Sequence, residues 1–133
     1  MLAVDTNVLL RILVDDPDAR EQCARARERA KREEQLLVPF IAFVEAIWVL
    51  REAFGYSRQS IIEVFERLLA NERYHIANRE ILGDALKSYR EVNVGFSDCA
   101  IHAEAQREGA GLLTFDRKLE RLSGVEVLRR SSS

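Results

Sequence analysis

The amino-acid sequence predicts an α/β layer structure built around a mostly parallel β-sheet. Short apolar runs recur along the chain, and each is followed by a longer segment with the apolar spacing of a helix. The chain has 133 residues, of which 47% are apolar, and this content is enough for the core of one domain. We therefore expect a single domain over residues 1–128 and a flexible tail over residues 129–133.

Start and stop signals set the bounds of the elements in the first half of the chain. Asp16 and Pro17 have the residue types of a helix N-cap and first helical position. The segment after Pro39 is apolar nearly all round, so we expect a helix that is central or lies at an interface, ending at Gly55. In order, the predicted elements are a strand at 2–4, helices at about 6–14 and 16–34, a strand at 36–38, and helices at 40–54 and 57–70.

The second half of the chain continues the same alternation. Asn78 is a suitable helix N-cap, and Gly109 is typical of the position just after a helix end. The predicted elements are a strand at 74–77, helices at 78–91 and 96–109, a strand at 112–114, one or two helical turns at 116–122 and an edge strand at 125–128.

Charge, cysteine content and hydropathy exclude several classes of protein. The 20 basic and 22 acidic residues nearly cancel, so no overall charge attracts nucleic acid or an anionic membrane. Cys23 and Cys99 form no C-x-x-C motif, and the two histidines are too far away in the sequence to complete a zinc site. No apolar run has the length of a membrane span, and Asp5 interrupts the place of a signal peptide's apolar segment. We expect a cytoplasmic protein without a membrane partner.

Four acidic residues stand at positions that favour a shared site. Asp5 and Asp116 follow the carboxyl ends of predicted parallel strands, where open α/β sheets bind ligands. Asp98 lies in the first turn of a predicted helix, so we expect its carboxylate to point back toward the preceding loop. Glu45 has apolar neighbours one helical turn away, where an unpaired charge is costly. If these acids converge, their repulsion raises their pKa values, and Mg²⁺ or Mn²⁺ relieves it.

Each acid also has a purely structural explanation. The three aspartates precede or begin predicted helices, where aspartate caps free N–H groups and interacts favourably with the helix dipole. Glu45 would face solvent if it shared a helix stripe with Ala42, Val49 and Glu52.

Four segments, taken in order, resemble the motifs of PIN-domain ribonucleases, particularly VapC-type toxins of type II toxin–antitoxin systems. They are "VDTNVLLRIL", "FVEAIWVL", "FSDCAIHAEA" and "LLTFDRKLERL". The resemblance covers residues 2–128 and rests on the four motifs together, since none is specific alone. It implies a three-layer α/β/α sandwich with a central, mostly parallel sheet. It also implies a metal-dependent endoribonuclease that hydrolyses RNA phosphodiester bonds.

The resemblance assigns roles to particular residues. The acidic catalytic cluster would consist of Asp5, Glu45, Asp98 and Asp116. The ligands of Mg²⁺ or Mn²⁺ would be Asp5, Asp98 and Asp116. Supporting hydrogen bonds would come from Thr6, Asn7 and Thr114, although capping and turn formation explain these residues as well. Candidate phosphate contacts near the site are Arg11, Arg117 and Lys118.

The third motif departs from the family at Cys99 and His102, where small or aliphatic residues are usual. His102 follows Asp98 by one helical turn and could approach the site. A histidine with satisfied hydrogen bonds or one that faces solvent is the alternative, and nothing else in the sequence indicates a histidine base.

Three partners are expected. The resemblance implies an RNA substrate and a cognate VapB-type antitoxin, whose tail would cover the acidic pocket. A homodimer would place apolar residues of segments 40–54 and 61–69 in contact. The arginine-rich segment 20–34 has six positive and four negative side chains and is typical of a solvated helix face.

Two other function classes compete with the nuclease. An aspartyl phosphotransferase usually has a second acid two residues after the first, and Asn7 stands at that position. A catalytically silent PIN-like module would bind RNA or protein without cutting, and the presence of all four acids argues against such decay.

Overall fold

Helices and short parallel strands alternate along the computed structural model, which describes residues 1–129. The chain divides into two compact units, Met1–Arg79 and Glu80–Ser133. The expectation of one domain over residues 1–128 stays a prediction. Of the tail predicted at residues 129–133, all but Arg129 lies outside the described residues. Over residues 1–129, no helix combines the length and apolar character needed to cross a bilayer.

The N-terminal unit follows the predicted order of elements. These are β1 (Leu2–Ala3), α1 (Thr6–Leu13), α2 (Arg20–Lys31), β2 (Leu36–Val38), α3 (Phe40–Glu52), α4 (Arg58–Ala70) and β3 (Tyr74–Ile76). The largest difference from the sequence is at α2, which begins after a 3₁₀ turn at Pro17–Ala19 and ends three residues early. Asp16 caps this 3₁₀ turn, because its Oδ1 accepts a hydrogen bond of 3.0 Å from the Asp18 N–H.

A distant arginine caps the carboxyl end of α2. Arg73 lies just before β3, and its Nη2 donates to the carbonyl oxygens of Ala30 at 2.8 Å and of Glu33 at 3.0 Å. The last carbonyls of a helix have no donor within the helix, and a cation there also interacts favourably with the helix dipole. Arg73 therefore stabilises the point at which α2 ends.

The sheet of this unit is parallel and has the order β1, β2, β3. In the central strand, Leu36 lies opposite Leu2 on one side and Tyr74 on the other. Leu36 and Val38 are buried, while Leu37 between them is partly exposed, as the period of two in a strand requires. Because parallel strands run in one direction, Asp5 after β1 and the start of α3 after β2 lie at the same edge of the sheet.

Helix α3 buries one face and exposes the other. On the buried face, the ring of Phe43 packs edge-to-face against Phe65 of α4, with ring centroids 4.9 Å apart. On the opposite face, Ile41 and Trp48 are 66% and 63% exposed. One side of the helix therefore belongs to the core. An interface on its exposed apolar side stays a prediction.

The C-terminal unit contains a second parallel pair of strands. Its elements are α5 (Arg79–Glu91, beginning at the last residue of the N-terminal unit), α6 (Phe96–Arg107), β4 (Leu112–Thr114), a 3₁₀ turn (Arg117–Arg121) and β5 (Val125–Val127). Leu112 of β4 pairs with Val125 of β5. Within residues 1–129, all strand pairs are parallel, as predicted, and they form two hydrogen-bonded ladders of three and two strands.

A tight turn before β5 is attached to α6. His102 Nε2 lies 2.8 Å from the carbonyl oxygen of Ser123, and Gln106 Nε2 donates to the same oxygen at 3.2 Å. The next residue, Gly124, has a φ of 71°, in the left-handed region. A Cβ there would lie 2.9 Å from Gln106 Nε2, so both the backbone angle and the available space favour glycine.

Each unit holds one buried cysteine. Cys23 on α2 is 5% exposed, and its Sγ lies 3.7 Å from the carbonyl oxygen of Val14, so it helps attach α2 to the end of α1. Cys99 on α6 is fully buried. Neither cysteine forms a disulfide.

Candidate active site

Asp5 lies at the junction of β1 and α1 and caps the helix. Its backbone is extended, with φ −85° and ψ 177°, and its Oδ1 accepts a hydrogen bond of 2.9 Å from the Val8 N–H. A carboxylate has two oxygens that together accept about four hydrogen bonds, so one capping bond leaves most of its acceptor capacity. The structural explanation of Asp5 is therefore correct, and it is compatible with a second role in binding a cation.

An apolar cleft of about 590 Å³ opens beside Asp5, between β1, α1 and α2. Asn7 lines it and is exposed, whereas Thr6, the first residue of α1, is partly buried. Arg11 also lines the cleft, but its guanidinium is already bonded. Arg11 Nη1 forms an ion pair of 3.0 Å with Asp16, and Nε donates to Gln22 at 2.9 Å. These contacts attach α1 to the turn before α2 and to α2 itself.

Glu45 lies on the exposed face of α3. Its neighbours on that face are Ile41 and Trp48, whereas Ala42 is buried. The solvent-facing explanation of Glu45 is thus correct, and Glu52 is exposed as proposed. Val49 is only partly exposed, and the assignment of Ala42 to the same stripe is wrong. The charge remains hydrated and has apolar side chains on both sides.

Asp98 of the C-terminal unit lies within the electrostatic influence of Asp116. Asp98 is partly buried in the first turn of α6, and a Cβ placed on Gly95 would lie 3.6 Å from its Oδ2. The carboxylate therefore points back toward the preceding loop, as predicted. Burial, and to a smaller degree the negative charge of Asp116, raises the pKa of the Asp98 carboxyl above its ordinary value.

Asp116 occupies a turn that is fixed by its own hydrogen bonds. Its N–H donates to Thr114 Oγ1 at 3.0 Å, and its Oδ1 accepts from the Lys118 N–H at 2.9 Å, capping the 3₁₀ turn. Thr114 thus has the turn-forming role that its alternative explanation proposed. The same bond holds the backbone from which the Asp116 carboxylate projects.

His102 is buried and has a hydrogen-bond partner. A carbonyl oxygen can only accept, so Nε2 carries the proton that is shared with Ser123. Its ring is therefore occupied in holding α6 to the turn before β5. This is the satisfied histidine that the sequence offered as the alternative to a role in the site.

The donor chemistry at Asp98 and Asp116 fits a hard divalent cation. Mg²⁺ is usually held by one or two carboxylates and keeps several waters, so two adjacent carboxylates with mutual repulsion suit it. Over residues 1–129, no group of three or more His, Cys, Asp or Glu side chains is close enough to hold a metal ion. Asp116 is near enough to Asp98 to act on it electrostatically, and a shared metal site of these acids with Asp5 and Glu45 stays a prediction.

Two residues near Asp116 were missed by the sequence analysis. Phe115 and Arg129 line a cleft of about 750 Å³ together with Asp116 and the predicted phosphate contacts Arg117 and Lys118. A signal for Phe115 was present, because the alternation of a strand puts it on the same exposed side of β4 as the residue two positions earlier. The sequence contains no comparable signal for Arg129, the first residue of the predicted tail.

Comparisons with known proteins identify relatives over nearly the whole length. The sequence model of a family described as "PIN domain" matches residues 2–125. The chain is 27% identical over 124 residues to the VapC ribonuclease of Aquifex aeolicus (strain VF5), and the match covers 92% of each protein.

Two solved structures are also similar to the chain. One is a toxin–antitoxin complex from Klebsiella pneumoniae, at 19% identity and a TM-score of 0.36, with 95% of both chains covered. The other is Mycobacterium tuberculosis VapC20, described as a sarcin-ricin loop cleaving toxin, at 13% identity and a TM-score of 0.45. That match covers 96% of this chain and 98% of the other. TM-scores this low support no inference about function.

Proposed function

Because the chain belongs to the PIN domain family, we propose that it is a metal-dependent endoribonuclease and the toxin of a VapBC-type toxin–antitoxin pair. The observation that carries the proposal is the partly buried Asp98 at the start of α6, where burial and, to a smaller degree, the negative charge of Asp116 raise the pKa of its carboxyl. Perturbed carboxyl pairs of this kind are typical of sites that bind cations or perform acid–base chemistry. The similarity to a VapC ribonuclease supports RNA as the substrate.

The acidic residues would have different roles in binding a cation. Asp98 and Asp116 would bind it directly or through water, with Asp5 as the third candidate ligand. A bound Mg²⁺ or Mn²⁺ supplies a water of lowered pKa and polarises the phosphoryl oxygens. Glu45 would add negative charge that strengthens cation binding. Without a cation, these carboxylates repel the RNA phosphates.

The remaining site residues would position the acids and the RNA. Thr114 fixes the backbone of Asp116 through its hydroxyl, so the carboxylate is held before a ligand arrives. Thr6 and Asn7 would orient water or phosphate beside Asp5. Arg117 and Lys118 are exposed next to Asp116, where they can contact the phosphates that flank the cleaved bond.

Arg11 is a weaker candidate for a phosphate contact. Its guanidinium is only partly exposed and is already bonded to Asp16 and Gln22. Binding a phosphate would require Arg11 to give up at least one of these bonds. The contacts support Arg117 and Lys118 over Arg11 for this role.

Substitution of the paired acids tests the proposal. Asp98→Asn and Asp116→Asn keep the size of the side chain and remove its charge, so each should lower Mn²⁺-dependent RNA cleavage at least about a hundredfold. Asp18→Asn, on an exposed turn of the N-terminal unit, is the matched control and should cleave at the wild-type rate. Cleavage by Asp98→Asn at the wild-type rate, or cleavage that persists in a chelator, would reject the proposal.

A metal titration separates the nuclease from a silent PIN-like module. Calorimetry should show Mn²⁺ binding to the wild type and to Asp18→Asn, and much weaker binding to Asp116→Asn. A protein that binds RNA but cuts none with any divalent ion would be the silent module instead. Expression of the wild type, but not of Asp98→Asn, should arrest the growth of a host that lacks the antitoxin.

We also propose a VapB-type antitoxin and a second copy of this chain as protein partners. The named VapC relative supports the antitoxin. The exposed Ile41 and Trp48 on one face of α3 support the homodimer, because contiguous apolar patches are typical of protein contact surfaces. An antitoxin whose tail covers the acids should abolish cleavage when it is added to the purified toxin.

A further inference from the structure

Phe115 is a large, solvent-exposed aromatic side chain next to a candidate catalytic acid. It follows β4 directly, precedes Asp116 and is 60% exposed. The cleft of about 750 Å³ at this position has six lining residues, namely Phe115, Asp116, Arg117, Lys118, Leu128 and Arg129. An exposed aromatic ring that lines a cleft with charged residues offers a flat apolar face to a ligand that also carries charge.

The charges around this ring suit an anion. Three of the lining residues are cations, and Asp116 is their acidic neighbour. In the part of the chain that the structure describes, neither Arg117 nor Lys118 nor Arg129 belongs to an ion pair. Arg11, Arg27 and Arg107, by contrast, are engaged with carboxylates. The cations beside Phe115 are therefore available to a phosphate.

The basic surface extends beyond the first cleft. A second cleft of about 340 Å³ is lined by Arg117 and Arg129 again, together with Glu120 and Val127. Two arginines shared by neighbouring clefts give a track with room for more than one phosphate, although Glu120 limits its charge. A short stretch of polynucleotide fits such a track better than a single small anion.

The turn that carries Phe115 is preorganised. The Leu128 N–H donates to the carbonyl oxygen of Thr114 at 2.7 Å, which extends the pairing of β4 with β5 up to the residue before Phe115. On the other side, the Asp116 N–H is bonded to Thr114 Oγ1. With its backbone fixed at both sides, the ring can contact a ligand at little cost in conformational entropy.

We propose that Phe115 is a stacking platform for one base of single-stranded RNA, and that Arg117, Lys118 and Arg129 bind the phosphates of the adjoining nucleotides. The inference rests on the proposed ribonuclease function, because it assigns the cleft to the nucleotide next to the cleaved phosphate. Aromatic rings combined with a basic groove are the usual means of binding single strands without reading their sequence. The site would therefore contribute affinity and register, while Asp98 and Asp116 act on the phosphate.

RNA binding without cleavage tests this site. The probe is an oligoadenylate of about eight nucleotides that carries one 2-aminopurine, titrated with Ca²⁺ in place of Mg²⁺ and checked for integrity on a gel. Phe115→Ala should weaken binding about fivefold or more, since stacking of one base contributes that much. Phe115→Leu keeps an apolar side chain but has no aromatic face, so its RNA binding should be weaker as well. Phe115→Trp should bind like the wild type.

Two further variants make the test specific. Phe54→Ala removes a 41% exposed phenylalanine in the N-terminal unit and should leave RNA affinity unchanged. Arg129→Gln should reduce the slope of log K against log salt by about 0.7, the value for one phosphate contact on a single strand.

The possible outcomes separate this inference from the proposed function. Wild-type affinity in Phe115→Ala or in Phe115→Leu would overturn the stacking site, while metal-dependent cleavage could still hold. A Phe115→Ala variant that loses only self-association, with RNA affinity intact, would mean that a second copy of the chain covers the ring. If the Phe115 variants behave as expected but Asp98→Asn still cleaves, the assignment of the catalytic acids fails and the stacking site stands. No RNA binding by the wild type would overturn both.

Discussion

The carboxylate of Asp116 raises the pKa of Asp98, adding to the larger effect of burial. Asp98 begins α6, and Asp116 follows β4, so the fold of the C-terminal unit brings together two acids that are far apart in the sequence. Two carboxylates that repel each other bind a proton or a metal ion more readily than isolated ones. This relationship leads to a prediction about pH and stability.

Asp98→Asn is expected to stabilise the metal-free protein at pH 7. The folded-state pKa of Asp98 is raised, so the folded state holds its proton more tightly than the unfolded state does. The stabilisation that comes from this proton is complete below the ordinary value of 3.8 and is lost as pH rises through the raised pKa. Asparagine keeps the site neutral at every pH. The gain should be below about 1 kcal/mol, because water screens a partly exposed carboxylate.

Urea unfolding of the metal-free protein at a series of pH values measures this effect. The difference between Asp98→Asn and the wild type should appear above the raised pKa and vanish at strongly acidic pH. Asp18→Asn should change the free energy of unfolding by no more than about 0.5 kcal/mol throughout. A difference that grows toward acidic pH would contradict the direction of the shift.

Arg73→Met should destabilise the N-terminal unit by about 2 kcal/mol. The substitution removes the charged donor that bonds to the carbonyl oxygens of Ala30 and Glu33, and such bonds contribute about 1.5–3 kcal/mol. Chemical denaturation followed by circular dichroism gives the value. Arg32→Met removes an exposed arginine from the same helix end and is the control, with an expected effect within about 0.5 kcal/mol. Equal stability of the two variants would mean that the Arg73 cap contributes nothing measurable.

Gly124→Ala should destabilise the C-terminal unit by about 1–3 kcal/mol. The added Cβ meets both a left-handed backbone and Gln106 Nε2, whose bond to Ser123 must then break or shift. Thermal unfolding measures the loss. Gly83→Ala is the matched control, because that glycine lies inside α5 with open space around it and should gain up to about 1 kcal/mol. A Gly124→Ala protein as stable as wild type would show that the turn relaxes freely.

Trp48→Glu should convert the proposed homodimer to a monomer. A charge in the centre of an apolar contact is desolvated without a partner, and centrally placed tryptophans carry much of the energy of interfaces. Sedimentation at micromolar concentration should show a dimer for the wild type. Ile101→Glu, which changes a 53% exposed residue on α6, should remain dimeric. A monomeric wild type would remove the basis for this prediction.

Local signals explain why most elements could be predicted. The N-cap Ser57, for example, marks the start of α4, since its hydroxyl accepts from the Ser60 N–H, and Gly55 just before it has the left-handed φ of 67°. The early end of α2 could not be predicted. The carbonyl oxygens at this end are bonded by Arg73, which is 43 residues from Ala30, and nothing in the sequence near Ala30 indicates that contact.

The sequence predicted which residues belong to the candidate site better than it predicted how their side chains are arranged. The first-turn position of Asp98 fixed the direction of its carboxylate, because helix side chains point toward the N-terminus. Ala42 was wrongly assigned to the exposed stripe of Glu45, since a helix with apolar residues all round has little contrast between its faces and periodicity orients it poorly. The partner of His102 could not be predicted from local sequence, because Ser123 is 21 residues away, in the turn before β5.

The burial of one thiol in each unit has a practical consequence. An aromatic disulfide reagent can reach Cys23 only when α1 and α2 separate, and Cys99 only when α6 leaves its packing. The rates at which the two sulfurs are labelled would therefore report the opening of each half of the molecule independently, without any engineered label. Slower labelling of Cys99 alone on addition of Mn²⁺ would locate the ion-dependent rigidity in the half that contains Asp98.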